Sequence, residues 1–209
     1  MPLVRTIAVG GIDIAPTGLT FDGKYLWWCG LENDSLYQMD RAGNVIQTIN
    51  TAAIDSSMVG LTTDGKYLWS TGTQNRRIYQ IDKTGNLISS FASGLFALPL
   101  RGITFDGKYL WVLNSAVADS ISQYDRAGNL IRVIVIAAVV ADPKGMTTDG
   151  KYLYIADWTT SSIYQFDKLG NVIRTITPGG GIKVHGLAFD GKYLWFTDLT
   201  NRNIIQWAR

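Results

Sequence analysis

The chain reads as an all-β protein, a five-bladed β-propeller of four-stranded antiparallel blades. Three observations lead there. The phrase Gly18-Leu19-Thr20-Phe21-Asp22-Gly23-Lys24-Tyr25-Leu26-Trp27 returns, slightly varied, at Gly60, Gly102, Gly145 and Gly186, at intervals of 42, 42, 43 and 41 residues. That interval is the length of one propeller blade. No segment has a helical period, whereas short aromatic and β-branched runs alternate with Gly, Asn and Asp turns throughout. The ends of the chain also complement each other. The fifth repeat stops at Arg209 after a third strand, Ile204 to Trp207, and Leu3-Val4-Arg5-Thr6-Ile7 matches the fourth-strand segment Val172-Ile173-Arg174-Thr175-Ile176. The N-terminal strand is therefore expected to complete the last blade and remove an open edge. A repeat of this size cannot cover both faces of its own sheet, so the ring has to close.

Each blade follows from local chemistry. Gly18 to Phe21 forms a first strand, and Asp22-Gly23 is the dipeptide favoured in a type I′ hairpin turn. Lys24 to Cys29 is a second strand, rich in apolar and aromatic residues as expected when both faces are covered. Leu36 to Met39 is a third, and a turn with Asp40 and Gly43-Asn44 opens a fourth, Val45 to Ile49. Blades accordingly span about 18–59, 60–101, 102–144, 145–185, and 186–209 with 1–17, in a single domain. Trp27, Trp69, Trp111 and Trp195 recur in register and are expected to pack between blades.

Composition narrows the function. Hydrophobic residues make up 46% of the 209 residues, enough for one good-sized core, and 17% charged residues with a net charge of +2 argue against disorder and against a strongly basic surface. The only adjacent basic pair outside the turns is Arg76-Arg77, so nucleic acid is not an expected partner. No apolar run approaches a membrane span. Cys29 is the one cysteine, which rules out an internal disulfide framework. The acidic residues show no metal-ligand spacing, and nothing implies a cofactor. Met1-Pro2 runs straight into repeat sequence without a leader pattern, and no compartment follows from it. The expected state is a monomer.

Comparing the repeats with one another separates two faces. The Asp-Gly-Lys turns (Asp22, Asp64, Asp106, Asp149, Asp190) and the Asp-x-x-Gly-Asn turns lie on one face, here the bottom, and read as solvated turn residues. On the top face the loops differ in every blade, from Gly30-Leu31-Glu32-Asn33-Asp34 to Asn114-Ser115-Ala116-Val117-Ala118-Asp119 and Asp157-Trp158-Thr159-Thr160. Eight of the seventeen acidic residues, including Asp119, Asp142, Asp157 and Asp198, fall on this variable face. Trp158, outside the repeat pattern at the start of a polar loop, is a candidate for stacking on a ligand ring.

The most informative variable position precedes each repeat glycine: Thr17, Val59, Arg101, Lys144 and His185. Five such side chains should converge at the mouth of a central channel. Two fixed cations beside the only histidine would attract a carboxylate or phosphate, with Gly179-Gly180-Gly181 as a source of backbone donors. The expected ligand set is therefore Arg101, Lys144, His185, Thr17, Val59, Trp158, Asp157 and Asp198. The partner is a small polar or anionic ligand, or a protein. His185 is a weak catalytic candidate, with Asp157 or Asp198 to orient it. The alternatives are a hydrolase or lyase using His185 with Arg101 and Lys144 as anion holders, or a lectin-like module. A lectin would repeat near-equivalent sites on each blade, which the loop divergence opposes.

The repeat resembles the NHL-type propeller consensus, a Gly-apolar-x-apolar-Asp strand before an aromatic-rich strand ending in Asp or Asn, as at Ala156-Asp157 and Thr197-Asp198. Gly60 to Gly72 followed by Ile78-Tyr79-Gln80-Ile81-Asp82 is similar to the five-bladed glutaminyl cyclases of plants and bacteria. That resemblance implies acidic and aromatic active-site residues at the pre-glycine positions. This chain has no carboxylate at any of the five, so cyclase chemistry is not expected of it. Leu194-Trp195-Phe196-Thr197-Asp198 also resembles the seven-bladed antibiotic-opening lyases, which rely on more histidine and acidic residues than this chain offers.

Overall fold

A computed structural model describes residues 3–94, 99–115 and 119–208. Met1-Pro2 and the Ala116-Val117-Ala118 part of the third variable loop lie outside the described residues. The strands run in chain order. After β1 (Leu3–Ala8), the first blade holds β2 (Pro16–Phe21), β3 (Leu26–Gly30), β4 (Ser35–Met39) and β5 (Val45–Asn50). The second holds β6 (Met58–Thr63), β7 (Leu68–Gly72), β8 (Arg77–Ile81) and β9 (Leu87–Ala92). The third holds β10 (Leu100–Phe105), β11 (Leu110–Asn114), β12 (Ser120–Tyr124) and β13 (Leu130–Val135). The fourth holds β14 (Pro143–Thr148), β15 (Leu153–Asp157), β16 (Ser162–Phe166) and β17 (Val172–Ile176). The last holds β18 (Val184–Phe189), β19 (Tyr193–Asp198) and β20 (Asn203–Ala208), with β1 paired to β20 as its outer strand. The ring is closed by the N-terminal strand, as the matching ends predict.

Among the described residues, buried apolar side chains gather at the blade interfaces in five clusters. One joins Trp27, Leu36 and Ile49 of the first blade to Met58, Leu61 and Tyr79 of the second, and another joins Tyr154 and Ile163 to Leu187 and Phe196. Trp27, Trp69, Trp111 and Trp195 are fully buried, each contributing on the order of 2–3 kcal/mol or more by leaving water. At the axis the inner strands touch through backbone. A Cβ on Gly18 would meet Leu61 N and Val59 O at 2.7 Å, and one on Gly145 or Gly186 would overlap the carbonyl oxygen of His185 or Thr17. Only glycine allows this approach. Together with Leu19, Leu61, Ile103, Met146 and Leu187, the five glycines leave no room for a water molecule at that level. The expected central channel is thus closed, and the top-face mouth has a floor.

Two readings of the bottom face change. Gly23 alone has a positive φ (97°) in the first turn, whereas a type I′ turn needs both central residues left-handed. The central pair is therefore Gly23-Lys24, and Asp22 precedes it as an acceptor. The aspartates are also not solvated: the side chains of Asp22, Asp106 and Asp190 are 5%, 5% and 1% exposed. Asp22 accepts from Lys24 N, Tyr25 N and the Trp27 indole. Asp64, Asp106 and Asp190 repeat the indole bond with Trp69, Trp111 and Trp195, and in the fourth blade Tyr154 Oη replaces the indole on Asp149.

Three bases then reach back to the preceding blade: Lys83 to Asp22 at 2.9 Å, Lys168 to Asp106 at 2.7 Å and Arg41 to Asp190 at 3.6 Å. The turn lysines are the solvated partners, each lying 4.7–4.8 Å from the centroid of its neighbouring Tyr ring.

Candidate functional site

The pre-glycine residues share a backbone device. In the first blade Pro16 lies opposite Gly30 and Leu19 opposite Trp28, leaving two residues, Thr17 and Gly18, against Cys29. The same irregularity occurs in β6, β10, β14 and β18, so each pre-glycine residue sits in a bulge. A bulge re-aims a side chain out of the regular alternation of a strand. Around it, the inter-blade loops and the loops after the second strands bond to each other on the top face, as in Leu31 N to Ala15 O and Trp158 N to Asp142 O.

The mouth is lopsided. Thr17 is buried and its hydroxyl donates to Cys29 O at 3.3 Å, while Val59 is buried and apolar. On the other side Arg101 and Lys144 are half-buried, and His185 is buried with 8% exposure. Lys144 Nζ pairs with Asp142 Oδ1 at 2.8 Å. Arg101 Nε donates to Ser115 Oγ at 3.1 Å, and among the described residues no carboxylate lies within ion-pair distance of its guanidinium. His185 Nδ1 is buried with no hydrogen-bond partner. Burial, then the charges of Lys144 and Arg101, push the imidazole down to about 3. Histidine is neutral here at physiological pH because charging it would cost desolvation and repulsion from two cations.

Trp158 lies edge-on to His185 with ring centroids 6.0 Å apart. Lys183, two residues before His185, donates from Nζ to Trp158 O at 3.1 Å and sits 5.7 Å from the indole centroid. Asp119 completes the surroundings. Burial, then the nearby Asp142 and Asp157, raises its carboxyl, while Lys144 and Arg101 act against that rise. Sequence reasoning did not single out Lys183. The signal was available, since Lys183 and Asp142 each stand two residues before a pre-glycine residue.

Asp157 and Asp198 have a different role from the one expected. Asp157 accepts from Ala141 N and Thr160 N, and Asp198 from Lys183 N, Asn201 N and Asn201 Nδ2. Neither bonds His185, so neither orients it. Both are clamps tying an inter-blade loop to the loop after the second strand. The first two blades build the same clamp from the opposite segment. Asp13 accepts from Ala15 N and Asn33 N, and Asp55 from Ser57 N, Asn75 N and Tyr79 Oη. There the strand ends in Gly30 or Gly72, where a Cβ would overlap the clamp carboxylate. The third blade has Asn114 at the strand end, with Nδ2 donating to Ser122 Oγ and Oδ1 buried without a partner. Gly179, Gly180 and Gly181 all have positive φ and open space around the Cβ position.

Among the described residues no group of three or more His, Cys, Asp or Glu is placed to hold a metal ion, and no helix is long and apolar enough to cross a membrane.

The protein is a five-bladed β-propeller. No family model and no curated protein matches the chain. Among solved structures it is similar to Myxococcus xanthus glutaminyl cyclase, with a TM-score of 0.78 at 12% identity over 98% of this chain and 94% of that one. It is also similar to virginiamycin B lyase from Staphylococcus aureus, with a TM-score of 0.60 at 19% identity over 93% of this chain and 66% of the lyase. A chain of a nidogen–laminin complex gives 0.58 at 18% identity over 83% of this chain and 84% of that one. At these identities the likeness is one of fold, and one fold serves catalysts and binders alike.

Proposed function

We propose that the mouth bounded by Arg101, Lys144 and His185 binds a small anionic or polar ligand without transforming it. The observation that carries this reading is the half-buried Arg101 guanidinium, which has no carboxylate partner among the described residues yet shares its field with Lys144 and an unbonded imidazole. A partly desolvated guanidinium gains most from a charge-assisted bond to a carboxylate or phosphate. Catalysis by His185 is disfavoured. An imidazole held to about 3 is a weak base, and a general base is normally oriented by a second group. The carboxylates nearest in the sequence logic, Asp157 and Asp198, are occupied by backbone N–H groups.

The test is thermal unfolding in acetate, phosphate and chloride at matched ionic strength. The wild type is expected to gain Tm in acetate or phosphate relative to chloride, following RT ln(1 + [L]/Kd), and Arg101→Gln is expected to lose that gain while keeping its Tm in chloride. Equal gains in both proteins would overturn the reading.

A further inference from the structure

The mouth carries both signs of charge. Of the two cations, Lys144 is already paired with Asp142. That leaves Arg101, bonded only to the Ser115 hydroxyl, as the cation without a counter-charge. Asp119 is its opposite: half-buried, with no side-chain hydrogen bond or ion pair among the described residues. Asp157 is consumed by its clamp. Leu100 pairs with Asn114 and Asn114 with Ser120, so Arg101 and Asp119 flank one strand end, within each other's field but not at ion-pair distance. Two opposite, partly desolvated charges that share a field but do not touch would each gain from a ligand group of opposite charge.

We propose that the ligand is a zwitterion of the α-amino acid class, with its carboxylate on Arg101 and its ammonium on Asp119. This rests on the reading of the mouth as a ligand site and narrows it. A free anion would satisfy Arg101 but leave Asp119 unpaired and facing added negative charge, whereas a zwitterion neutralises both poles and adds no net charge. His185 lies in the field of Arg101 and Lys144, and its buried, unpartnered Nδ1 marks a desolvated part of the mouth. Lys144 and Asp142 compensate each other and leave the two poles to Arg101 and Asp119. Trp158, half-buried beside His185, offers an indole edge to the amino acid's side chain and is held by Lys183.

Matched probes separate this from the broader reading. Alanine, glutamine and phenylalanine are titrated calorimetrically, each beside its des-amino acid and its decarboxylated amine, at fixed ionic strength. At least one amino acid is expected to bind tenfold or more tightly than both of its single-charge analogues. Arg101→Gln should reduce it to the level of the amine, and Asp119→Asn to the level of the des-amino acid. Asp119→Glu should retain part of the preference, which a merely structural role would not predict. Des-amino acids binding as tightly as the amino acids would overturn the zwitterion proposal while leaving the anion site standing. Absence of binding by every probe, with no stabilisation by acetate or phosphate, would overturn both. An unchanged preference in Asp119→Asn would also sink the proposal.

Discussion

On the bottom face, one aspartate per blade stands at the same repeat position and takes the same bonds: two turn N–H groups and one ring donor at Asp22, Asp64, Asp106, Asp149 and Asp190. On the top face, four blades also bury an aspartate that ties two segments together, but its source alternates. It comes from the inter-blade loop at Asp13 and Asp55, and from the end of the second strand at Asp157 and Asp198. The bottom face conserves the residue position across repeats, while the top face conserves only the location of the carboxylate. Variation between repeats is therefore compatible with a fixed structural task. What separates Arg101, Asp119 and His185 from the clamps is an unmet interaction: among the described residues the two charges have no ion-pair partner and the imidazole Nδ1 has no hydrogen bond.

The largest expected effect lies below both faces. Gly145→Ala places a methyl group onto the His185 carbonyl and should cost about 3 kcal/mol or more, since backbone cannot repack like a side chain. It would be read as a fall in the denaturant midpoint or as insoluble protein.

The clamps come next. Asp55→Gly removes the acceptor of Ser57 N, Asn75 N and Tyr79 Oη and should cost about 2–4 kcal/mol. Adding Gly72→Asp rebuilds the clamp from the strand end, as in the fourth and fifth blades, and should restore part of the loss, since the new Cβ displaces the Tyr79 ring edge. Gly72→Asp alone sets two carboxylates in one place and should be worse than Asp55→Gly. A double variant no more stable than Asp55→Gly would break the equivalence.

Titration separates the faces further. His185 is held below its ordinary value, so between about 6.5 and about 3 the unfolded chain binds the proton more readily, and stability falls as pH falls through that window. Burial pushes the Asp22 carboxyl up, but bonds from Tyr25, Lys83, Trp27 and Lys24 outweigh it and hold it at about 2. Its contribution is present above its ordinary value near 3.8 and is lost as pH falls toward 2. Tm against pH should therefore flatten in the upper window for His185→Gln and in the lower one for Asp22→Asn. The smallest effect is Lys83→Ala, a half-exposed inter-blade pair, at about 1 kcal/mol or less.

The architecture was legible because closure leaves marks in sequence. The fivefold phrase carries the axial glycines, and the split fourth strand announces the β1–β20 pairing. The pre-glycine ring could be located for the same reason, since the bulge recurs with the glycine it precedes. The clamps were not legible. Asp55 and Asp157 occupy different repeat positions, and their equivalence exists only once the inter-blade loop and the strand end meet in space. The closed floor was equally hidden, because a glycine in a strand permits a close approach without saying which backbone makes it. The bottom-face aspartates looked solvated because turn position does not reveal that Trp27 or Lys83 lies over them.

His185 is the only histidine, so its imidazole proton signals are unambiguous in a nuclear magnetic resonance spectrum. Titrating acetate or phosphate into the protein at neutral pH should shift those signals in the wild type, with a half-saturation that Arg101→Gln weakens tenfold or more. Signals that stay fixed in the wild type, while anions still perturb resonances on the bottom face, would contradict a ligand site at the mouth.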